Sequence, residues 1–357
     1  MQNSQKDFNV WCKWDPLKKV IIGSCVHPEY FDHVANIEIK EKLQKITIET
    51  QQDLDHIASV CQQLGAEVIR VNPYNEYFEK YLDPGIKTKS IAPLLNPRDR
   101  MVVIGNDLIS CDRWTMLNNP YLITNNELLK KNTPWHDLNI KHKVENFFPN
   151  NWTLVGKDLF IDQRDTLNAE DGLDEHLRAD TIEKWAAKWF PHIDLHWCSI
   201  GGHNDGCFHT LKPGAIMSLE DIMKYEKTFP GWEVLYLPDQ NWGAIPEFYK
   251  MKKKTLGKYW LPGEEENDEL INFINTWLND WLGYVEETVF DVNCLVVNES
   301  TVLVNNYNKT VFDFLKKHNM EPIICPLRHK FLFDAGIHCV SLDLYREGTC
   351  QSYIDYK

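Results

Sequence analysis

Asn293-Cys294-Leu295-Val296-Val297-Asn298-Glu299-Ser300-Thr301-Val302-Leu303-Val304-Asn305-Asn306 is the stretch on which the fold turns. Two apolar, β-branched runs flank Asn-Glu-Ser, the pattern of two strands joined by a tight turn. Apolar residues three and four apart then predict a helix over 310–318, and Pro322-Ile323-Ile324-Cys325 reads as a further strand. Strand, hairpin, helix, strand forms one unit, and residues 204–237 show a looser version of it, with a helix expected over 219–228 and a strand over 232–237.

Strand signals recur from end to end, at Lys19-Val20-Ile21-Ile22-Gly23, Ala66-Glu67-Val68-Ile69-Arg70-Val71, Met101-Val102-Val103-Ile104-Gly105, Asp158-Leu159-Phe160-Ile161 and Asp194-Leu195-His196-Trp197. Helical periodicity over 37–64, 179–190 and 268–282 interleaves with them, so the class is α/β. No Pro-rich or Ser/Gly-rich linker divides the chain, which favours one continuous domain over residues 1–357. Residues 238–285 are the least regular part and read as a lid.

The 38 basic and 52 acidic residues give a net charge of −14, which repels a phosphate backbone and argues against nucleic acid as a partner. The longest apolar runs fall far short of the roughly 20 residues that span a bilayer. The opening Met1-Gln2-Asn3-Ser4-Gln5-Lys6-Asp7 has neither a signal-peptide core nor an Arg-rich presequence, which points to the cytoplasm. Ten cysteines are scattered without a Cys-x-x-Cys pair, the pattern of reduced, buried thiols rather than of a zinc site.

Three polar clusters interrupt the apolar pattern. Asp99, in Asn96-Pro97-Arg98-Asp99-Arg100, stands at the entrance to a strand, where it either projects into a site or pairs with a neighbouring arginine. His203 and Asp205, in Gly201-Gly202-His203-Asn204-Asp205-Gly206, share a face if the segment is extended; an imidazole beside a carboxylate serves acid–base work, and a polar turn with one satisfied histidine is the plainer alternative. Cys339, in Gly336-Ile337-His338-Cys339-Val340-Ser341-Leu342-Asp343-Leu344, opens an alternating strand, which is expected to leave its sulfur at the mouth of an element. Most cysteines are simply small core residues. A cysteine with a distant histidine and carboxylates is, however, the minimal set for covalent catalysis. Cys207 and Cys350 are weaker rivals, lacking the glycine-histidine lead-in.

Taken in order, these motifs resemble the amidinotransferase family over nearly the whole chain. Trp14-Asp15-Pro16-Leu17-Lys18-Lys19-Val20-Ile21-Ile22-Gly23 is similar to the family's W-D-P-L-x-x-V-I-V-G opening. Pro97-Arg98-Asp99, Gly156-Lys157-Asp158-Leu159-Phe160, His203-x-Asp205, Gly336-x-His338-Cys339 and Gly348-Thr349-x-Gln351-Ser352-Tyr353 follow. The resemblance implies a five-bladed α/β propeller of ββαβ-type modules around a central active site. It implies Cys339 as the nucleophile that attacks a guanidinium carbon and His203 as the general acid/base, with Asp99 and Asp205 holding the guanidinium. A planar cation with several N–H donors pairs well with two carboxylates.

Two departures stand out. Where the family carries a further catalytic aspartate, ten residues before Asp158, this chain has Phe148, with Glu145 and Asn150 as the polar residues able to take over. The arginine that clamps a donor carboxylate in the family corresponds to Ile222, and its paired serines to Glu286 and Glu287, which repel a carboxylate and suit a cationic or amine-bearing substrate. The resulting expectation is an amidino transferase acting on a small guanidino donor and an amine acceptor other than the arginine/glycine pair, with no metal or organic cofactor, and by resemblance a homodimer. A guanidine hydrolase of the deiminase or dihydrolase type, or a non-catalytic binding descendant, are the alternatives.

Overall fold

The computed structural model describes residues 8–70, 95–110, 135–137, 149–162, 175–199, 203–237, 250–282 and 290–354. Its strands are β1 (Leu17–Ile22), β2 (Glu67–Arg70), β3 (Met101–Ile104), β4 (Asp107–Ser110), β5 (Trp135–Asp137), β6 (Trp152–Val155), β7 (Asp158–Asp162), β8 (Asp194–Cys198), β9 (Phe208–Lys212), β10 (Ala215–Ser218), β11 (Glu233–Tyr236), β12 (Leu295–Asn298), β13 (Thr301–Val304), β14 (Glu321–Ile324) and β15 (Ser341–Arg346). The helices are α1 (Ile37–Gln63), α2 (Glu175–Trp189), α3 (Asn204–Cys207), α4 (Tyr225–Thr228), α5 (Asp268–Trp277), α6 (Lys309–Lys317) and α7 (Lys330–Phe333). Mixed α/β architecture follows, as the sequence pattern requires.

Among the described residues the strands form five three-stranded sheets of one design. In each, the middle strand pairs antiparallel on one side and parallel on the other: β12-β13-β14, β9-β10-β11, β6-β7-β8, β3-β4-β5, and β15-β1-β2. The last sheet draws its antiparallel strand from the far end of the chain, so β15 lies beside β1. A parallel pair needs a crossover. Helices α1, α2, α4 and α6 supply it in four sheets; the fifth crossover falls in 111–134, outside the described residues.

Local chemistry accounts for the units. In the β12–β13 hairpin, Asn298 Oδ1 accepts from the Ser300 N–H at 2.9 Å, so the turn carries its own side-chain hydrogen bond. Helix α1 is capped by the Asn36 side chain, which accepts from the Ile39 N–H, and buries Ile39, Leu43, Ile46, Leu54, Ile57, Ala58 and Cys61 along one face. Pro322 sits on β14, an edge strand, where its missing N–H costs little. The helix expected over 219–228 is shorter than its pattern suggests: only Tyr225–Thr228 is helical, because Asp221 Oδ1 accepts from the Tyr225 N–H and starts the turn there. Of the expected lid over 238–285, residues 250–282 include α5, whose Leu270 and Ile274 belong to the apolar core against α1, while 238–249 and 283–289 lie outside the described residues.

Three of the motifs carrying the resemblance meet in one place. The Trp14 ring packs edge-on against Tyr353, with centroids 4.9 Å apart, and the Lys157 N–H donates to the Gln351 carbonyl at 3.1 Å. Gly156, at φ +66°, would carry a Cβ only 1.9 Å from that carbonyl, so no larger residue allows the approach. This cluster joins distant parts of the chain.

Candidate active site

The strand β15 is preceded by the loop carrying Cys339, and the elements around that loop fix it on every side. Asn293, just before β12, accepts at Oδ1 from the backbone N–H groups of His338 (2.9 Å) and Cys339 (3.1 Å), and its Nδ2 donates to the Cys339 sulfur at 2.8 Å. Gly336 makes this possible, since a Cβ there would sit 2.2 Å from the Asn293 side chain. On the other side, Arg98 Nε donates to the carbonyls of His338 and Ser341, both at 2.9 Å, and its Nη2 donates to Asp343 Oδ1 at 2.7 Å. Arg346 Nε donates to the other Asp343 oxygen at 2.7 Å. Burial alone would push the Asp343 carboxyl up, but Arg346 and Arg98 hold it well below the usual carboxylate range.

The expectation of an open position for Cys339 is corrected: it is 1% exposed. It does stand just ahead of its strand, but Asn293, His338 and Asp205, from three different parts of the chain, close over it. The Cys339 thiol lies 3.5 Å from Asp205 Oδ2, and the same oxygen accepts from His338 Nδ1 at 2.8 Å. His338 is buried, and burial together with Arg98 and Lys13 pushes its imidazole far below the ordinary value, so it is the neutral ring that donates to Asp205. Asp205 Oδ1 is buried without a hydrogen bond.

His203 and Asp205 are not on an extended segment. His203 precedes the single helical turn α3, and the N–H groups of Gly206 and Cys207 both donate to its carbonyl. The turn takes the two side chains in different directions, Asp205 inward to Cys339 and His203 toward Asn150. Asn150 Nδ2 stands 2.9 Å from His203 Nε2 and 3.5 Å from Asp99 Oδ1. The Asn150 amide thus stands between the His203 ring and the Asp99 carboxyl. Asp99 closes the short 3-10 turn Pro97–Asp99 before β3. Burial pushes its carboxyl up, with the Asp205 charge adding to that and His203 opposing it.

Two groups of expected residues are thus placed: Cys339 with Asp205, and His203 with Asp99, joined electrostatically through the two carboxylates. Of the replacements for the missing aspartate, Asn150 reaches His203, whereas Glu145 and Phe148 lie outside the described residues. Glu286 and Glu287 also lie outside them. Ile222 is half-buried and packs against the apolar core, so it offers a donor carboxylate nothing. Cys207 is buried and Cys350 exposed. Sequence reasoning gives no site role to Asn293, His338 or Lys13, although His338 belongs to the motif that leads into Cys339. An asparagine ahead of a strand reads as a turn residue, and only the contact forced by Gly336 distinguishes it. Among the described residues no three His, Cys, Asp or Glu side chains group as metal ligands, and no helix is long and apolar enough to cross a membrane.

What the fold and site define is a mixed α/β protein with a buried thiol, an imidazole and two carboxylates at the ends of its strands. No family model matches the chain. It is 21% identical to the L-arginine:L-lysine amidinotransferase of Pseudomonas savastanoi pv. phaseolicola, an alignment covering 96% of each protein. It is also 21% identical to the mitochondrial glycine amidinotransferase of Gallus gallus, over 96% of this chain and 84% of that protein. Among solved structures, the inosamine-phosphate amidinotransferase of Streptomyces griseus superposes with a TM-score of 0.62 at 17% identity, covering 98% of this chain and 99% of that one. Over 96–98% of its length the chain is thus similar to amidinotransferase enzymes.

Proposed function

We propose that the protein moves an amidino group from a guanidino donor to an amine acceptor through a covalent intermediate on Cys339. The observation that carries this reading is the Asp205 carboxylate: one oxygen is held by His338 and faces the Cys339 thiol, and the other is buried and unpartnered. A buried, unsatisfied carboxylate oxygen beside a nucleophile suits the N–H of a guanidinium, and the raised Asp99 carboxyl supplies the second partner as that cation brings it back to the ionised state.

In the first half-reaction the Cys339 thiolate attacks the guanidinium carbon, the C–N bond to the donor breaks, and His203 gives a proton to the leaving amine. In the second, His203 takes a proton from the acceptor amine as its nitrogen attacks the amidino carbon, and the C–S bond breaks to return the thiolate. Asn150 orients His203 in place of the family's aspartate. With Ile222 where a carboxylate clamp would stand, donors and acceptors other than the arginine/glycine pair fit better, and Glu286 and Glu287 would favour amine-bearing ones. The five alike sheets, with β15 closing onto β1, fit a five-bladed propeller folded as one domain, and we assign the protein to the cytoplasm as a homodimer.

Mass spectrometry after incubation with a panel of guanidino compounds tests this. An amidino adduct on the Cys339 peptide, discharged by an amine and absent from Cys339→Ser, is the expected result. Ammonia released with no amine present would make the protein a hydrolase, and an adduct on Cys207 or Cys350 would overturn the assignment of the nucleophile. A folded protein that forms neither adduct nor product with any guanidine would be a binding descendant.

A further inference from the structure

The torsion that sets the plane of an aspartate carboxylate is soft, so a buried aspartate takes the orientation that its hydrogen bonds give it. Around Asp205 those bonds fall on one oxygen. His338 Nδ1 stands 2.8 Å from Oδ2, and the Cys339 sulfur lies 3.5 Å from the same atom. Oδ1 is buried, and among the described residues no hydrogen bond reaches it. The ring that orients this carboxylate therefore belongs to the residue next in the chain to the nucleophile.

Neighbouring side chains on a strand point to opposite faces, and an extended Gly336-Ile337-His338-Cys339 would send the imidazole and the thiol apart. The segment is a turn instead: the Val340 N–H donates to the Gly336 carbonyl at 3.1 Å and the Ser341 N–H to the His338 carbonyl at 3.2 Å. Both side chains thereby converge on Asp205 Oδ2. His338 has little freedom in that turn. Its N–H donates to Asn293 Oδ1 and its carbonyl accepts from Arg98 Nε, each at 2.9 Å, while the His209 ring on β9 meets its ring edge to face with centroids 5.1 Å apart. The residue is 3% exposed, and burial keeps the imidazole neutral, so it has one ring proton to give. Among the described residues its Nε2 has no hydrogen bond, which leaves Nδ1 as the engaged nitrogen.

Resting on the transferase reading, we infer that His338 is a positioning residue for the guanidinium: with its proton on Nδ1 it donates to Asp205 Oδ2 and fixes the carboxylate plane so that Oδ1 faces the cation. A guanidinium is a planar fork of N–H donors, and such donors bond best near the plane of the oxygens they meet. A carboxylate turned about its own stem thus loses the cation without losing its charge. One carboxylate serves as the common reference for both reactants, since Oδ1 receives the guanidinium and Oδ2 lies against the thiol that attacks it.

Two amide substitutions separate the nitrogen from the ring. Asparagine carries its N–H donor on the atom bonded to Cγ, as Nδ1 is, whereas glutamine carries it one bond further out, where Nε2 stands. Calorimetry with methylguanidinium, in a Cys339→Ser background so that no adduct forms, reads binding without turnover. His338→Asn should bind within about threefold of that parent and His338→Gln about tenfold more weakly, the scale of one hydrogen bond to a charged group. Urea melts of the same preparations show that both are folded. Equal affinities in folded His338→Asn and His338→Gln, or no binding by the folded parent, would overturn the proposal. Should the variants fail to fold, the nitrogen resonances of the His338 ring in the wild-type protein decide: a protonated Nδ1 and a bare Nε2 are expected, and the reverse tautomer would overturn the proposal equally. Methylguanidinium binding that follows this pattern, with no amidino adduct from any guanidine, would remove the transferase reading and leave the positioning role of His338 standing.

Discussion

Asn293 grips Cys339 from both ends of its amide, accepting from the Cys339 N–H at 3.1 Å and donating to the Cys339 sulfur at 2.8 Å. A donor aimed at sulfur favours the thiolate, and an acceptor on two successive N–H groups fixes the loop that presents it. The two roles can be separated. Asn293→Asp keeps the acceptor and replaces the donor with a second negative oxygen. It should retain the loop yet raise the thiol midpoint by more than Asn293→Ala does, and cut single-turnover adduct formation by about tenfold to a hundredfold, the worth of one charge-assisted hydrogen bond. Equal thiol midpoints in the two variants would leave Asn293 a structural residue only.

Gly336 is where this arrangement is most easily broken. Any side chain there meets Asn293 at 2.2 Å, and both residues are packed in by the loop. Gly336→Ala should destabilise the fold by about 1–3 kcal/mol, the usual cost of overpacking, and should lower adduct formation more than stability alone explains, because Asn293 must shift away from sulfur. Urea melts and adduct kinetics on one preparation compare the two. Full reactivity in a destabilised protein would show that the Asn293 contact is dispensable.

Asn150 stands beside His203, where the pattern this chain resembles has an aspartate that the sequence lacks. Its amide spans Asp99 and His203, so Asn150→Ala should leave the imidazole unoriented and lower kcat by about a hundredfold with little change in KM. Asn150→Asp puts a carboxylate beside His203. That favours the imidazolium, so the acidic limb of the pH–rate profile should move upward, while the added negative charge pushes the already raised Asp99 carboxyl further up. A profile that does not move with either substitution would remove His203 from the proton transfers.

Much of this arrangement is legible in the amino-acid sequence, and the limits have physical causes. The hairpin at 293–306 with its following helix and strand can be read because alternation and helical periodicity are local, and the same three-strand pairing recurs in the five sheets of the described residues. Cys339, Asp99, His203 and Asp205 stand out because polar residues at strand ends are conspicuous. Direction is what the pattern does not carry. The one-turn helix after His203 sends its two side chains apart, and a spacing rule for strands has no means of anticipating a turn of four residues. Burial is equally hidden: Cys339 is enclosed by Asn293 and Asp205, 46 and 134 residues away. The burial of Lys13 is hidden for the same reason, since nothing in its own neighbourhood of the sequence announces it.

Behind the nucleophile, the buried histidines make a prediction about stability rather than catalysis. His209 is fully buried with both ring nitrogens unpaired, and burial, then the charges of Lys13, Arg98 and Arg346, push its imidazole far below 6.5. In the unfolded chain the same ring takes up a proton as pH falls through its ordinary value. The unfolded state therefore binds more protons below about pH 6.5, and stability must fall with falling pH, by about 1.4 kcal/mol per pH unit for each such group. His338 contributes in the same sense. His209→Leu removes one of the two and also an unsatisfied buried polar group, so it should be at least as stable as wild type at pH 5 and should show a shallower slope between pH 5 and 6.5, above the range in which carboxylates ordinarily titrate. Urea denaturation at half-unit steps measures both. A variant whose slope matches wild type would mean that His209 is protonated in the folded protein.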